Sequence, residues 1–147
     1  MDTFSCAPMR SDAEVQACLS VMAQLRPQLP PTLTPADWLA RVRRMELEGY
    51  RLAAARDAAG VAAVAGYHIF DCIARGGKSM YVDDLVTDTG RRSRGAGKAL
   101  LDWLMDAARR EGCSTLSLDS GVQRYDAHRF YMRERMSIVA YHFRLEF

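Results

Sequence analysis

Apolar residues recur along the chain with two periods, and the switches between them mark the elements. Val15, Cys18, Leu19, Met22 and Leu25 fall three or four apart, on one face of a helix. Ser11 precedes it, with Glu14 three residues on, the pattern of a capping box. Pro27, Pro30 and Pro31 cannot continue a helix and predict a stiff loop over residues 26–33. A second helix opens at Thr34-Pro35, with Thr as cap and Pro in the first turn. Trp38, Leu39, Val42 and Met45 form its stripe, and Gly49 its end.

Further on the period changes. Residues 3–9 read as a short first strand, and residues 50–56 and 61–70 as two more strands joined into a hairpin at 57–60. The alanine content of that hairpin runs against β propensity. A Gly76-Gly77 turn leads into a strand over 80–87, apolar and β-branched with Asp83 and Asp84 inserted. Leu100, Leu101, Leu104, Met105 and Ala108 mark a long helix with Arg109 and Arg110 in its last turn and Gly112 after it. A strand at 114–119, a short helix at 127–135 and an alternating strand over 137–147 complete the chain. Val139, Tyr141, Phe143, Leu145 and Phe147 share one face of that last strand. The order β-α-α-β-β-β-α-β-α-β predicts an antiparallel meander followed by a βαβ unit whose strands run parallel.

The junction between the 80–87 strand and the long helix is where chemistry enters. Asp88, Thr89 and Gly90 break the strand, and Arg92-Ser93-Arg94-Gly95-Ala96-Gly97 opens the helix. The first turn of a helix leaves N–H groups without partners, and its dipole favours an anion there. Gly95 and Gly97 let a phosphate approach the backbone closely, and Arg91, Arg92, Arg94 and Lys98 add formal charge. The stretch reads as a phosphate or pyrophosphate site.

Composition narrows the classes. The chain has 147 residues, 49% of them hydrophobic, enough for one domain over 1–147 with a sizeable core. A net charge of +2 gives no general affinity for polyanions, and the basic residues cluster locally, so no nucleic-acid partner is expected. Cys6, Cys18, Cys72 and Cys113 have no zinc-like spacing, and His68, His128 and His142 complete no cluster, so no metal site is expected. Residues 1–9 lack the pattern of a leader, and no apolar run reaches about 18 residues. Reduced thiols in a cytoplasmic protein with no membrane partner are the expectation.

Arg-x-x-Gly-x-Gly before a basic residue and an apolar helix, here Arg92 to Lys98, resembles motif A of the GNAT N-acetyltransferases. It lacks the Gly-Lys-Ser/Thr of a Walker loop and the third glycine of a Rossmann fingerprint. The element order resembles the GNAT fold over nearly the whole chain. The resemblance implies an α/β fold with a mixed central sheet, splayed between two parallel strands and carrying helices on both faces. It implies acetyl-CoA as cosubstrate, its pyrophosphate cradled by Arg92, Ser93, Arg94, Gly95, Ala96, Gly97 and Lys98. Leu85, Val86 and Thr87 would bond the pantetheine arm as an added strand does.

Near the end, the family often shows Asn-x-x-Ala-x-x-x-Tyr-x-x-x-Gly-Phe. This chain has Arg124, Ala127, Tyr131, Arg135 and Met136 at those places. Ala127 and Tyr131 match, whereas Arg135 stands where glycine usually takes a positive φ. The resemblance makes Tyr131 the acid that protonates the leaving thiolate. Asp83 and Asp84 match acidic pairs of polyamine and thialysine acetyltransferases. Strand neighbours face opposite sides, so one acid would meet the acceptor ammonium and the other serve structure. By that match Asp83 faces substrate. The function implied is acetyl transfer from acetyl-CoA to a primary amine, a cationic small molecule or a peptide amine, in a family that often forms homodimers. The alternative is a non-catalytic acyl-CoA-binding or interaction module of the same fold.

Overall fold

The computed structural model describes residues 3–147, so Met1 and Asp2, the start of the stretch read for a leader, lie outside it. The chain divides into two compact units, Met1–Ser117 and Leu118–Phe147.

The first unit is built on β1 (Ser5–Pro8), α1 (Asp12–Ala17), α2 (Leu19–Leu25), α3 (Pro35–Glu46), β2 (Arg51–Asp57), β3 (Gly60–Cys72), β4 (Gly77–Thr87) and α4 (Ala96–Arg110). Strand β5 (Thr115–Leu118) ends at the junction of the two units. The sheet order is β1-β2-β3-β4-β5, antiparallel through β4, with β5 parallel to β4. This is the mixed sheet with flanking helices expected from the element order.

Local chemistry explains the helix starts. Ser11 Oγ accepts from Glu14 N–H at 3.2 Å while the Glu14 carboxylate accepts from Ser11 N–H at 3.0 Å. Thr34 makes the same reciprocal cap, with Asp37 as its acid and Pro35 at the first position. The single first helix expected from the apolar spacing is broken at Cys18 into α1 and α2. Trp38 Nε1 donates to Val15 O at 2.8 Å, tying α3 to the last turn before the break.

The alanine-rich hairpin forms despite propensity because burial overrides it. Ala53, Ala54, Ala55, Ala62, Ala63 and Ala65 are fully buried. On one face, Val15, Met22, Trp38 and Val42 pack against Tyr50, Leu52, Val64 and Val86. Helix α4 packs on β2, β3 and β4, burying Leu100, Leu101, Leu104, Ala107 and Ala108.

The second unit contains α5 (Tyr125–Arg133). The alternating strand expected over 137–147 does not form: these residues are in no ladder. Ile138, Val139, Tyr141, Phe143, Leu145 and Phe147 are each at least 74% exposed. Period-2 patterning marks a segment fit for a sheet but supplies no partner strand. Among the described residues no helix is long and apolar enough to cross a membrane.

Candidate active site

The expectation that Asp83 and Asp84 face opposite sides is corrected by a bulge. Gly66 of β3 pairs with Asp84 and Tyr67 with Val82, so Asp83 is an extra residue in β4. A bulge breaks alternation and re-aims side chains. Both carboxylates therefore reach one side of the sheet, where the rings of Tyr50 and His68 meet edge-on at 5.6 Å.

Each acid has its own partners there. Asp84 accepts from Arg26 Nε at 2.7 Å and from the Tyr50 hydroxyl at 3.0 Å, and its side chain is only 13% exposed. Arg26 also donates to the Asp83 carbonyl at 2.6 Å, which ties the proline-rich loop to the bulge. Burial first, and then the Asp84 charge, push the Tyr50 hydroxyl far above the usual range, so it stays a donor. Asp83 is more open, 31% exposed, and its Oδ2 accepts from His68 Nδ1 at 2.7 Å. Burial raises the Asp83 carboxyl above its ordinary value against the pull of the His68 bond. Gly66 makes this packing possible: a Cβ there would collide with the Tyr50 hydroxyl and stand 2.6 Å from Asp84 Oδ2.

Sequence reasoning passed over His68 and reached Arg26 only as the start of the proline-rich loop. His68 lies two residues past Gly66, but only the hairpin register brings it to Asp83.

The basic turn follows β4 directly. Helix α4 has no side-chain cap at its N-cap Gly95, which sits at φ +94°. Ser93 is also left-handed, at φ +63°. Alternating left-handed positions turn successive N–H groups inward, the form of an anion-binding nest. Gly97 lies against Thr87: a Cβ would be 2.8 Å from its hydroxyl oxygen. Ala96 is buried, whereas Arg92, Ser93, Arg94 and Gly95 are exposed. Arg91 and Lys98 have partners within the protein. Arg91 pairs with Asp57 and donates to the Gly60 and Val61 carbonyls, and Lys98 pairs with Asp102 at 2.9 Å along the helix.

Strand β5 begins beside Lys78 and Ser79, where Ser114 N–H donates to Lys78 O at 2.9 Å and the Ser79 and Thr115 hydroxyls meet at 2.7 Å. It has four residues against the eleven of β4. The stretch Leu85, Val86 and Thr87 therefore runs on past its parallel neighbour. Val86 points into the helical core, and β3 holds the other side of the stretch.

In the second unit Tyr131 lies on α5, half-buried, with its ring tilted against Phe130 at 5.4 Å. Burial raises its hydroxyl above the ordinary value, offset by the positive charge of Arg124. Arg135 takes φ +64°, the conformation usual for the glycine it replaces. His128 meets the Gly121 carbonyl at 2.8 Å and His142 pairs with Asp119 at 2.8 Å. A cavity of about 700 Å³ lies where β1 runs out, lined by Arg10, Arg43, Arg51, Trp103 and Arg110 among others. Tyr50, the partner of Asp84, also lines it, whereas Asp83, Asp84, Tyr131 and the basic turn do not.

The Acetyltransferase (GNAT) family model matches residues 18–135, and the chain belongs to that family. It is 48% identical over 69 residues to an uncharacterised N-acetyltransferase, YhdJ, of Bacillus subtilis, a match covering 46% of this chain and 49% of that protein. It is 38% identical over 53 residues to the aminoalkylphosphonate N-acetyltransferase of Salmonella typhimurium, covering 36% of this chain and 34% of that one. These matches span about half and a third of the relatives' lengths. Among solved structures, glucosamine-6-phosphate N-acetyltransferase from Arabidopsis thaliana superposes with a TM-score of 0.80 over 99% of both chains at 22% identity, a likeness of fold.

Proposed function

We propose that the protein transfers an acetyl group from acetyl-CoA to a primary amine on a cationic acceptor. The observation that carries this reading is the nest at the start of α4, an uncapped helix terminus with left-handed Ser93 and Gly95 and with Gly97 tight against Thr87. Its free N–H groups, with Arg92 and Arg94, would hold the pyrophosphate. The end of β4 from Leu85 to Thr87 would bond the pantetheine arm.

The bound cosubstrate supplies an activated thioester. An acceptor amine arrives as ammonium and must lose a proton before it attacks. The Asp83 carboxylate, held by His68, attracts the cation, and the Asp83–His68 pair takes that proton. Nitrogen then adds to the thioester carbonyl, the C–S bond breaks, and the nitrogen gives up its extra proton to solvent as the amide forms. By its place in the motif, Tyr131 gives its proton to the departing thiolate. Asp84, locked by Arg26 and Tyr50, holds the bulge that aims Asp83. An acidic site favours an acceptor without an anion beside the amine, unlike the aminoalkylphosphonate named for the Salmonella relative. Homodimers in the cytoplasm complete the reading, supported by four free thiols, which suit a reducing compartment.

The test is an amine panel with acetyl-CoA, read by release of free thiol. Polyamine-like and peptide amines are expected to react, and Tyr131→Phe to lower turnover by about ten- to ten-thousand-fold with cosubstrate affinity little changed. Binding of acetyl-CoA without thiol release on any amine would overturn catalysis and leave a non-catalytic acyl-CoA-binding module.

A further inference from the structure

The cavity where β1 runs out belongs wholly to the first unit, since every residue that lines it precedes Ser117. At about 700 Å³ it has the volume of a small-molecule site. It is remote from the basic turn. Helix α4 runs from Ala96 at that turn to Arg110 at the cavity, roughly 20 Å at about 1.5 Å per residue. Tyr50 borders both the cavity and the acidic pair: it lines the first, and its hydroxyl donates to Asp84 at 3.0 Å.

The charges on the cavity walls do not balance. Four arginines and two glutamates line it. Arg43 pairs with Glu46 at 2.8 Å and donates through its other terminal nitrogen to Asp12 and the Arg10 carbonyl. Arg51 pairs with Glu111 at 3.1 Å. Both glutamates are then matched. The guanidinium groups of Arg10 and Arg110 have no ion pair among the described residues, so two positive charges are left over. The rest of the lining is apolar or aromatic. Trp103 and Tyr67 meet edge-on with ring centroids 6.4 Å apart, and Met9, Leu52 and Ala107 share the wall with them. Burial raises the Tyr67 hydroxyl above its ordinary value, and the charges of Arg51 and Arg10 act on it from beside it. It therefore stays a donor facing the same cations.

We propose that this cavity binds a small dianion on a flat apolar body, an aromatic phosphate monoester or dicarboxylate, with its charged head on Arg10 and Arg110 and its body on Trp103 and Tyr67. A dianion answers both unmatched charges, whereas a monoanion leaves one of them. The aromatic wall calls for an organic body, which a bare inorganic anion lacks.

The test titrates the full chain with phenyl phosphate and, separately, with phthalate, at about pH 8, above the second phosphate pKa near 6. The indole N–H signals are followed by nitrogen-15 NMR. The chain has two tryptophans, and buried Trp38 is the internal control. At least one dianion is expected to move the Trp103 signal saturably, with a dissociation constant at or below about 1 mM, while Trp38 stays in place. The dianion that does so identifies the head group. Benzoate, with one charge, is expected to bind at least about tenfold more weakly, and the double variant Arg10→Gln, Arg110→Gln to weaken the dianion by at least about tenfold. Both arginines are exposed and without ion pairs, so the double variant should keep its fold, checked by circular dichroism. Arg92→Glu, in the basic turn, should leave this binding unchanged. A Trp103 signal that neither dianion moves overturns the proposal. So do benzoate binding as tight as the dianions, binding that survives the double variant, and binding lost in Arg92→Glu.

Discussion

Asp83 and Asp84 differ by one position and by almost everything else. Asp84 is held by two donors and nearly closed off, while Asp83 has one partner and remains a third open. Their substitutions should therefore separate. Asp84→Asn leaves Arg26 and Tyr50 facing a neutral group, and should lower unfolding free energy by about 1–3 kcal/mol in urea titrations. Asp83→Asn should not lower the urea midpoint, but should raise the acceptor KM and reduce turnover, with acetyl-CoA binding retained. Loss of activity in a fully stable Asp84→Asn protein, with Asp83→Asn behaving as wild type, would invert the two roles.

The pH dependence follows from the same carboxyl. Burial raises Asp83 above its ordinary value, so folding favours its protonated form. The stability linked to it is full below the ordinary aspartate range, near pH 3.9. It is lost as pH rises through the raised folded value. Relative to Asp83→Asn, the wild type should lose stability across that window. On the proposed mechanism catalysis needs the carboxylate, so the acid limb of kcat/KM should lie above the ordinary aspartate range. His68 donates to the ionised form and pulls the carboxyl down. His68→Phe should then move the limb to higher pH in whatever activity survives. A limb that stays in place would remove His68 from the pair.

Helix ends and one bulge carry the information at the scale of elements. Helices α3, α4 and α5 close with the same two bonds, one from the left-handed residue and one from the residue after it. After α4 these run Gly112 N–H to Arg109 O and Cys113 N–H to Ala108 O; after α5 they run Arg135 N–H to Met132 O and Met136 N–H to Tyr131 O. This is a Schellman closure, whose left-handed position is usually glycine. Arg135 occupies it at a strain of roughly 1–2 kcal/mol. Arg135→Gly should relieve that, less the extra freedom of an unfolded glycine, for a net gain of about 0.5–1 kcal/mol. Slower exchange of the Met136 amide would report it, and faster exchange would show the strain is absent. In β3 the requirement is reversed. Gly66→Ala would push a methyl into the Tyr50–Asp84 contact and should cost about 1–3 kcal/mol, with loss of activity as the bulge shifts.

For the molecule as a whole the decisive measurement is ligand-linked stability. On the proposed function acetyl-CoA would bind only the folded chain, so it should raise Tm, by an amount that grows with concentration above Kd. Arg92→Glu with Gly97→Val should abolish the shift, because one reverses charge and the other places a side chain against Thr87. An unchanged shift in the folded double variant would take the pyrophosphate away from this turn.

Much of this architecture is legible in the linear pattern, because it depends on contacts within a few residues. The Ser11–Glu14 and Thr34–Asp37 boxes, the α4 stripe from Leu100 to Ala108 and the Gly-rich opening of that helix are local, and each lies where its own sequence puts it. The element order then constrained topology, since a βαβ connection has one favoured hand. Long-range register was not written locally. Alternation assigned Asp83 and Asp84 to opposite faces, and the bulge opposite Gly66 put them on one. Arg26 and His68 joined them from 58 and 15 residues away in sequence. The tail shows the same limit from the other side: alternation over 137–147 is the pattern of a strand, but a strand exists only where another pairs with its N–H and C=O groups, and these residues are in no ladder.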